Sequence, residues 1–225
     1  MSATKTRQRS VTNPTRVTYD LAMCGRYTLA ASNRPELSGF ATTLVDRFNI
    51  APQSDVLVRN ETLELTLMRW DLSPPWAKSP MHLFNARAET LAEKPSFRGT
   101  KRCIFVADGW YEWQKLGSGK QPWYHHQDGG LLHFAGVYHP QSGCAIVTQA
   151  AHPTIEHIHH RQPLLLDDTT VGAWTEGAPP DAVNTDIEVS THRVSTSVSN
   201  ARLDEPSLTN PLDDSVTVIQ PDLWS

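Results

Sequence analysis

The chain has 225 residues, 39% of them hydrophobic, with 20 Lys and Arg against 24 Asp and Glu for a formal net charge of -4. That length fits one well-buried domain without requiring two, and the acidic balance excludes a general electrostatic pull towards phosphates, so any nucleic-acid binding has to come from a local basic groove. The apolar runs Cys103 to Ala107 and Pro163 to Leu166 are far too short to cross a bilayer, and the three cysteines, Cys24, Cys103 and Cys144, form neither a disulfide framework nor a CxxC pattern; together these predict a soluble cytoplasmic protein with no membrane partner, by default a monomer.

Residues 1 to 22 are polar and lack an apolar period, with Lys5, Arg7, Arg9 and Arg16 against the single acid Asp20, and read as a disordered extension. Patterning begins at Met23. Cys24 to Leu29 reads as a short strand before a turn around Ser32 to Pro35. Leu37, Phe40, Ala41, Leu44, Val45 and Phe48 then recur at helical spacing, with Ser32 or Asn33 as cap and Pro35 in the first turn, which predicts a helix. Leu63, Leu65 and Leu67 alternate with polar residues and pair in a predicted hairpin with Val56 to Val58. Asn85 to Thr90 reads as extended, placing Asn85, Arg87 and Glu89 on one face. Cys103 to Ala107, Gly109 to Gln114, Leu131 to Tyr138 and Ala145 to Thr148 are further strands, with a turn at Gly117-Ser118-Gly119. Thr154 to His159 and Asp168 to Trp174 read as short helices. Strands arriving in runs give an α+β fold that is mainly antiparallel β, a barrel-like curled sheet with a few flanking helices.

Four clusters carry reactive groups. Cys24 stands beside Gly25 and Arg26, although a lone cysteine is more often a core residue. Asn85, Arg87 and Glu89 form either a site or a solvated strand edge. Glu112 sits among Trp110, Tyr111 and Trp113, where burial raises a carboxyl pKa towards the range that general acid/base catalysis needs; a plain aromatic ladder is the alternative. His157, His159, His160 and Arg161 combine a proton carrier with a phosphate-matching fork. With His152 they invite a zinc reading, but the spacing matches no HExxH or CxxC signature, so neither a metal nor another cofactor is expected.

In this order the blocks resemble the SRAP family, the SOS response-associated peptidase-like proteins that sense and crosslink abasic sites in single-stranded DNA. The likeness runs from Met23 through Cys24-Gly25-Arg26, Asn49-Ile50-Ala51-Pro52, Trp70 with Leu72, Pro75-Trp76, Asn85 to Thr90, Arg102-Cys103, Gly109 to Trp113, Phe134 to Tyr138, and His159, Arg161 and Pro163, with Val194-Ser195, Val198 and Asn200 near the end. The resemblance implies a single SRAP domain over residues 23 to 225. It implies that Cys24 closes a thiazolidine on the C1′ aldehyde of an abasic site, with Glu112 moving protons, His159 assisting ring opening and Asn85 orienting the adduct. It further implies that Arg26, Arg87 and Arg161 hold phosphates and that Trp70 and Trp76 stack on bases. The partner is then single-stranded DNA carrying abasic sites, with the protein on the nucleoid when bound. A cysteine-dependent peptidase using Cys24, His159 and Asn85, and a non-covalent single-strand-binding module, remain the alternatives.

Three departures from the family pattern stand out. The family's cysteine follows the initiator methionine, whereas 22 residues precede Met23 here. An internal cysteine has an amide nitrogen that forms no imine, so the active form is expected to begin at Cys24. Gln162 stands where the family commonly has methionine, and Asp71 where it has glycine; both predict altered packing with the reactive groups intact.

Overall fold

The structure is a computed structural model and describes residues 25–37, 40, 44–183 and 185–213. The predicted extension 1–22 and Cys24 lie outside the described residues. The strands are β1 (Tyr27–Leu29), β2 (Arg47–Ile50), β3 (Asp55–Arg59), β4 (Leu65–Arg69), β5 (Asn85–Arg87), β6 (Lys101–Ala107), β7 (Gly109–Leu116), β8 (Gly119–His126), β9 (Leu132–His139), β10 (Gly143–Ala150), β11 (Arg161–Pro163), β12 (Leu165–Leu166) and β13 (Ser190–Arg193); one helix, α1 (Val171–Thr175), follows β12. A five-stranded sheet runs in the order β13-β8-β7-β1-β2. An eight-stranded sheet runs β11-β10-β9-β6-β3-β4, with β12 on β9 and β5 on β10.

Long hairpins supply most of this framework. β7 and β8 pair without a break from Gly109↔His126 to Leu116↔Gly119, and their turn places Gly117 at φ +53, a left-handed conformation that glycine adopts without a Cβ penalty. β9 pairs along its length with β6 and over its second half with β10. Beyond that point the segment Arg161–Leu166 fills the space between β10 and β9. Leu164 N donates to Val147 O at 2.9 Å and Leu164 O accepts from Ala135 N at 2.8 Å, so the wedge keeps both strands hydrogen-bonded.

The two sheets share an aromatic core. Tyr27 and Trp110 on the smaller sheet meet Trp70, Phe105 and Phe134, all fully buried, with ring centroids 5.4 Å apart for Tyr27 and Trp70 and 5.8 Å for Trp110 and Phe134. Large aromatic areas removed from water dominate such a core, and tilted or edge-on pairs are the favoured ring arrangements. The opposite face of the smaller sheet, with Tyr111 and Tyr124, is covered by Val194, Val198 and Leu208.

The hairpin of β3 and β4, the central strands and the helix near Trp174 agree with the sequence reading. Three expectations do not. Among the described residues neither sheet closes on itself or is strongly curled, because each buries a face against the other and two stacked sheets already exclude water. The helix expected over Leu37 to Phe48 is replaced by 3-10 turns at Ala31–Asn33 and Pro35–Leu37 and then by β2; β1 needs a partner on its second edge, and pairing Tyr27 with Ile50 and Leu29 with Arg47 overrides local propensity. Residues 38–39 and 41–43 of that stretch lie outside the described residues. Thr154 to His159 is a run of turns, in which Ile155 N and Glu156 N both bond His152 O. No helix among the described residues is long and apolar enough to cross a membrane.

His125 on β8 is 1% exposed, stacks on Trp110 at 4.6 Å, and its Nδ1 meets no hydrogen-bond partner among the described residues. Burial pushes its pKa down to about 3. The unfolded chain takes up this proton near pH 6.5 and the folded chain only near 3, so stability is fully present above about pH 6.5 and falls as the pH drops through that window. Urea unfolding across this range is expected to show the loss, at most about 1.4 kcal/mol per pH unit from this group, and His125→Phe is expected to flatten it. An equally steep profile in the variant would contradict the assignment.

Candidate functional site

Glu112 lies on β7, 4% exposed and opposite Trp123. Along its other edge β7 carries β1, with Tyr27↔Trp110 and Thr28↔Gly109 in register. Tyr111 N donates to Arg26 O at 3.0 Å, so the ladder runs on past β1 and Gly25 falls opposite Glu112. The residue before Gly25 is Cys24.

His159 comes from the larger sheet, two residues before β11, and its Nδ1 stands 3.8 Å from Glu112 Oε2. Arg161 N and Arg161 O each lie 3.2 Å from the same Nδ1. Bare Nδ1 accepts from the amide and protonated Nδ1 donates to the carbonyl, so one turn serves both states of the ring. Burial is the main cause that holds the His159 pKa below its ordinary value; the tilted ring of His160, 4.5 Å away, adds like-charge repulsion. His159 therefore stays neutral at pH 7, able to accept a proton.

β5 carries Asn85, half-buried, and Arg87, exposed, and pairs in parallel with β10 through Asn85↔Ile146 and Arg87↔Thr148. The expected alternation ends there, since Glu89 belongs to a 3-10 turn at Ala88–Thr90. Glu89 takes the guanidinium of Arg161 end-on, with Nη1 donating to Oε1 at 2.5 Å and Nη2 to Oε2 at 2.9 Å, while Nη2 also donates to Thr148 O at 2.6 Å. These bonds hold the Glu89 carboxyl below its usual pKa. Arg161 is only 8% exposed and rivets the β5 turn to β10 and β11.

Arg26 is also turned to structure. Its Nη1 donates to Asn49 Oδ1 at 2.9 Å and to Val198 O at 3.0 Å. Asn49, 2% exposed, donates through Nδ2 to Val198 O, Asn200 O and Leu203 O at 3.2, 3.1 and 2.8 Å. Sequence reasoning gave Asn49 no role; an amide between the apolar Phe48 and Ile50 was the available signal. The two candidate tryptophans also separate. Trp70 is fully buried, its Nε1 on Phe84 O at 2.8 Å, whereas Trp76 is 60% exposed on the loop closed by the Leu72↔Leu83 bridge. Gln162 and Asp71 brace loops: Gln162 Oε1 accepts from His152 N at 2.8 Å, and Asp71 meets His82 Nδ1 at 3.1 Å. Among the described residues no group of three or more His, Cys, Asp or Glu is arranged to hold a metal.

The structure thus brings Glu112 and His159 together, sets Asn85 and Arg87 on the strand whose following turn grips Arg161, and leaves Arg87 and Trp76 facing solvent. The family model described as SOS response associated peptidase (SRAP) matches residues 23–201. The abasic site processing protein YoqW of Bacillus subtilis (strain 168) is 32% identical over 223 residues, covering 83% of this chain and 98% of that protein. The abasic site processing protein HMCES of Gallus gallus is 29% identical over 234 residues, covering 84% of this chain and 68% of that protein. The crystal structure of a phage-related protein from Bordetella bronchiseptica matches with a TM-score of 0.62 at 26% identity, covering 76% of this chain and 94% of that one.

Removing the Arg161 fork strips Glu89 and Thr148 of their buried donor. Arg161→Gln is expected to lower unfolding stability by about 1–2 kcal/mol in urea titration, because the Thr148 acceptors lose a buried donor while the half-exposed Glu89 carboxylate can turn to water. A change below about 0.5 kcal/mol, typical of a surface position, would contradict the rivet.

Proposed function

The chain belongs to the SRAP family, and from that premise we propose that it processes abasic sites in single-stranded DNA by capturing the opened sugar covalently on Cys24. The observation that carries this reading is the Glu112 and His159 pair, 3.8 Å apart, at the point where the β1 ladder runs back to Gly25.

The chemistry needs an amine that is neutral at physiological pH. An α-amine has a pKa of about 8 against about 10.4 for lysine, so several hundred times more of it is neutral at pH 7. The amine of Cys24 attacks the C1′ aldehyde, water leaves to give an imine, and the thiolate's lone pair forms a C–S bond to the imine carbon while the C=N π pair moves to nitrogen, which takes up a proton, closing the thiazolidine. Glu112 and His159 carry the protons of these steps: the ring is neutral in the resting site and its turn accommodates the charged form as well. Asn85 orients the adduct. The free amine requires that the chain before Cys24 be removed, and the family match beginning at residue 23 supports this.

DNA is held by what faces solvent. Arg87 takes a flanking phosphate and Trp76 a base, while Arg26 and Arg161 shape the groove through their protein partners. Stacking accepts any base, so sequence preference is low, and a single exposed arginine on a phosphate gives a shallow salt dependence.

Protein beginning at Cys24, incubated with an abasic oligonucleotide, is expected to give a heat-stable shifted band on a denaturing gel. Cys24→Ala is expected to abolish it, and Glu112→Gln to slow it by about 10²- to 10⁴-fold, the usual worth of a positioned proton carrier. No band overturns the covalent reading; cleavage of supplied peptides without a band would favour a peptidase.

A further inference from the structure

The distance between His159 and Glu112 is a distance between two sheets, so something has to set it. His159 sits at the end of the connection from β10 to β11, which is closed upon itself: Ala151 N bonds His160 O at 3.1 Å, and His152 N bonds the Gln162 side chain at 2.8 Å. Ile155 and Ile158 anchor the turn in the core, each 4% exposed.

On the other side, Glu112 and Gln114 point to the same face of β7, and Trp123 stands opposite Glu112 on that face. Gln114 uses both ends of its amide. Its Oε1 accepts from Trp123 Nε1 at 3.1 Å, and its Nε2 donates to His157 O at 3.1 Å. The Trp123 ring meets the His157 ring edge-on, 5.9 Å between centroids. Indole, amide and peptide carbonyl therefore form a strut from the smaller sheet to the turn, ending two residues before His159.

We propose that Gln114 is a positioning residue of the capture reaction: braced by Trp123, its amide holds the 152–160 turn against β7 and sets the separation of His159 from Glu112. This rests on the assignment of Glu112 and His159 to that reaction. The strut needs an acceptor for an N–H and a donor for a C=O on one planar group, which an amide supplies. Methionine, of similar length, supplies neither a strong acceptor nor a donor. Both bonds lie near the surface, where each contributes little to global stability, so their loss is expected to leave the fold intact. The reaction is more sensitive, because a displacement of about 1 Å can cost on the order of 10²-fold in rate.

Two readouts on Gln114→Met test this. The groups facing His159 are Glu112, His160, Lys120 and Arg161, and none is altered in the variant. An NMR titration of the His159 ring in the protein without DNA is expected to show its midpoint rising towards the ordinary imidazole value as the turn moves away and water enters. The rate of crosslinking to an abasic oligonucleotide is expected to fall about ten- to hundredfold, with the urea midpoint unchanged. Gln114→Asn, which keeps both hydrogen-bonding groups on an arm one methylene shorter, is read by the same two measurements should the methionine variant fail to fold. An unmoved midpoint or an unmoved rate overturns the proposal. Failure of the parent protein to crosslink would instead overturn the covalent reading, and the titration would still judge the strut.

Discussion

The register between β1 and β7 governs where the segment before Tyr27 can lie relative to Glu112. Pairing Tyr27 with Trp110 and Thr28 with Gly109 buries Tyr27 and Trp110 together and runs the chain back along β7, where Arg26 O accepts from Tyr111 N, the residue before Glu112. A slip by one residue would turn every side chain to the opposite face. Gly109 resists that slip, since a Cβ there would lie 2.3 Å from His125 O and 2.6 Å from the Tyr124 ring. Asp108 secures the same corner, accepting from Ala30 N at 2.5 Å and from Arg34 Nε and Nη2 at 3.0 and 2.6 Å. A hydroxyl pair, Thr28 with Tyr124 at 2.7 Å, closes it beneath.

Once the register is fixed, the remaining parts of the site arrive from the second sheet, and much of the polar chemistry nearby serves to hold the two sheets in place. Arg161, with the fork geometry suited to a phosphate, spends it on Glu89 and Thr148. Arg26 is bound to Asn49 and the Val198 carbonyl, pulling the C-terminal segment over the outer face of the smaller sheet. A net charge of -4 is consistent with this division, since it gives no general attraction to phosphates. His159 is left half-buried and neutral, with a turn that tolerates either protonation state.

Much of this was legible in the sequence, and the misses have two causes. The hairpins around Gly117 and between Val56 and Leu67 follow from alternation and turn residues, and Glu112 among aromatics announced a buried carboxyl that proved 4% exposed. The apolar spacing from Leu37 to Phe48 read as a helix because period alone cannot register that β1 lacks a partner. The Thr154 to His159 stretch likewise became turns, anchored by Ile155 and Ile158 and tied by side chains such as Gln162. Burial partners were the other blind spot. Trp70 and Trp76 are equivalent as letters, yet one fills the core and the other faces water, and the partners of Arg161 and Arg26 lie 72 and 23 residues away in the chain. Gln114 gave no signal at all, because its role exists only once β7 and the turn before β11 are side by side.

The central claim is that both the amine and the thiol of Cys24 react with the sugar aldehyde. Intact-mass spectrometry of the isolated adduct, followed by mapping of the modified residue, tests it directly. The account predicts a mass one water below the sum of protein and oligonucleotide, with the modification on Cys24 and stable to reduction. A mass equal to the simple sum, as a thiohemiacetal on an internal cysteine would give, or an adduct carried by any other residue, would contradict it.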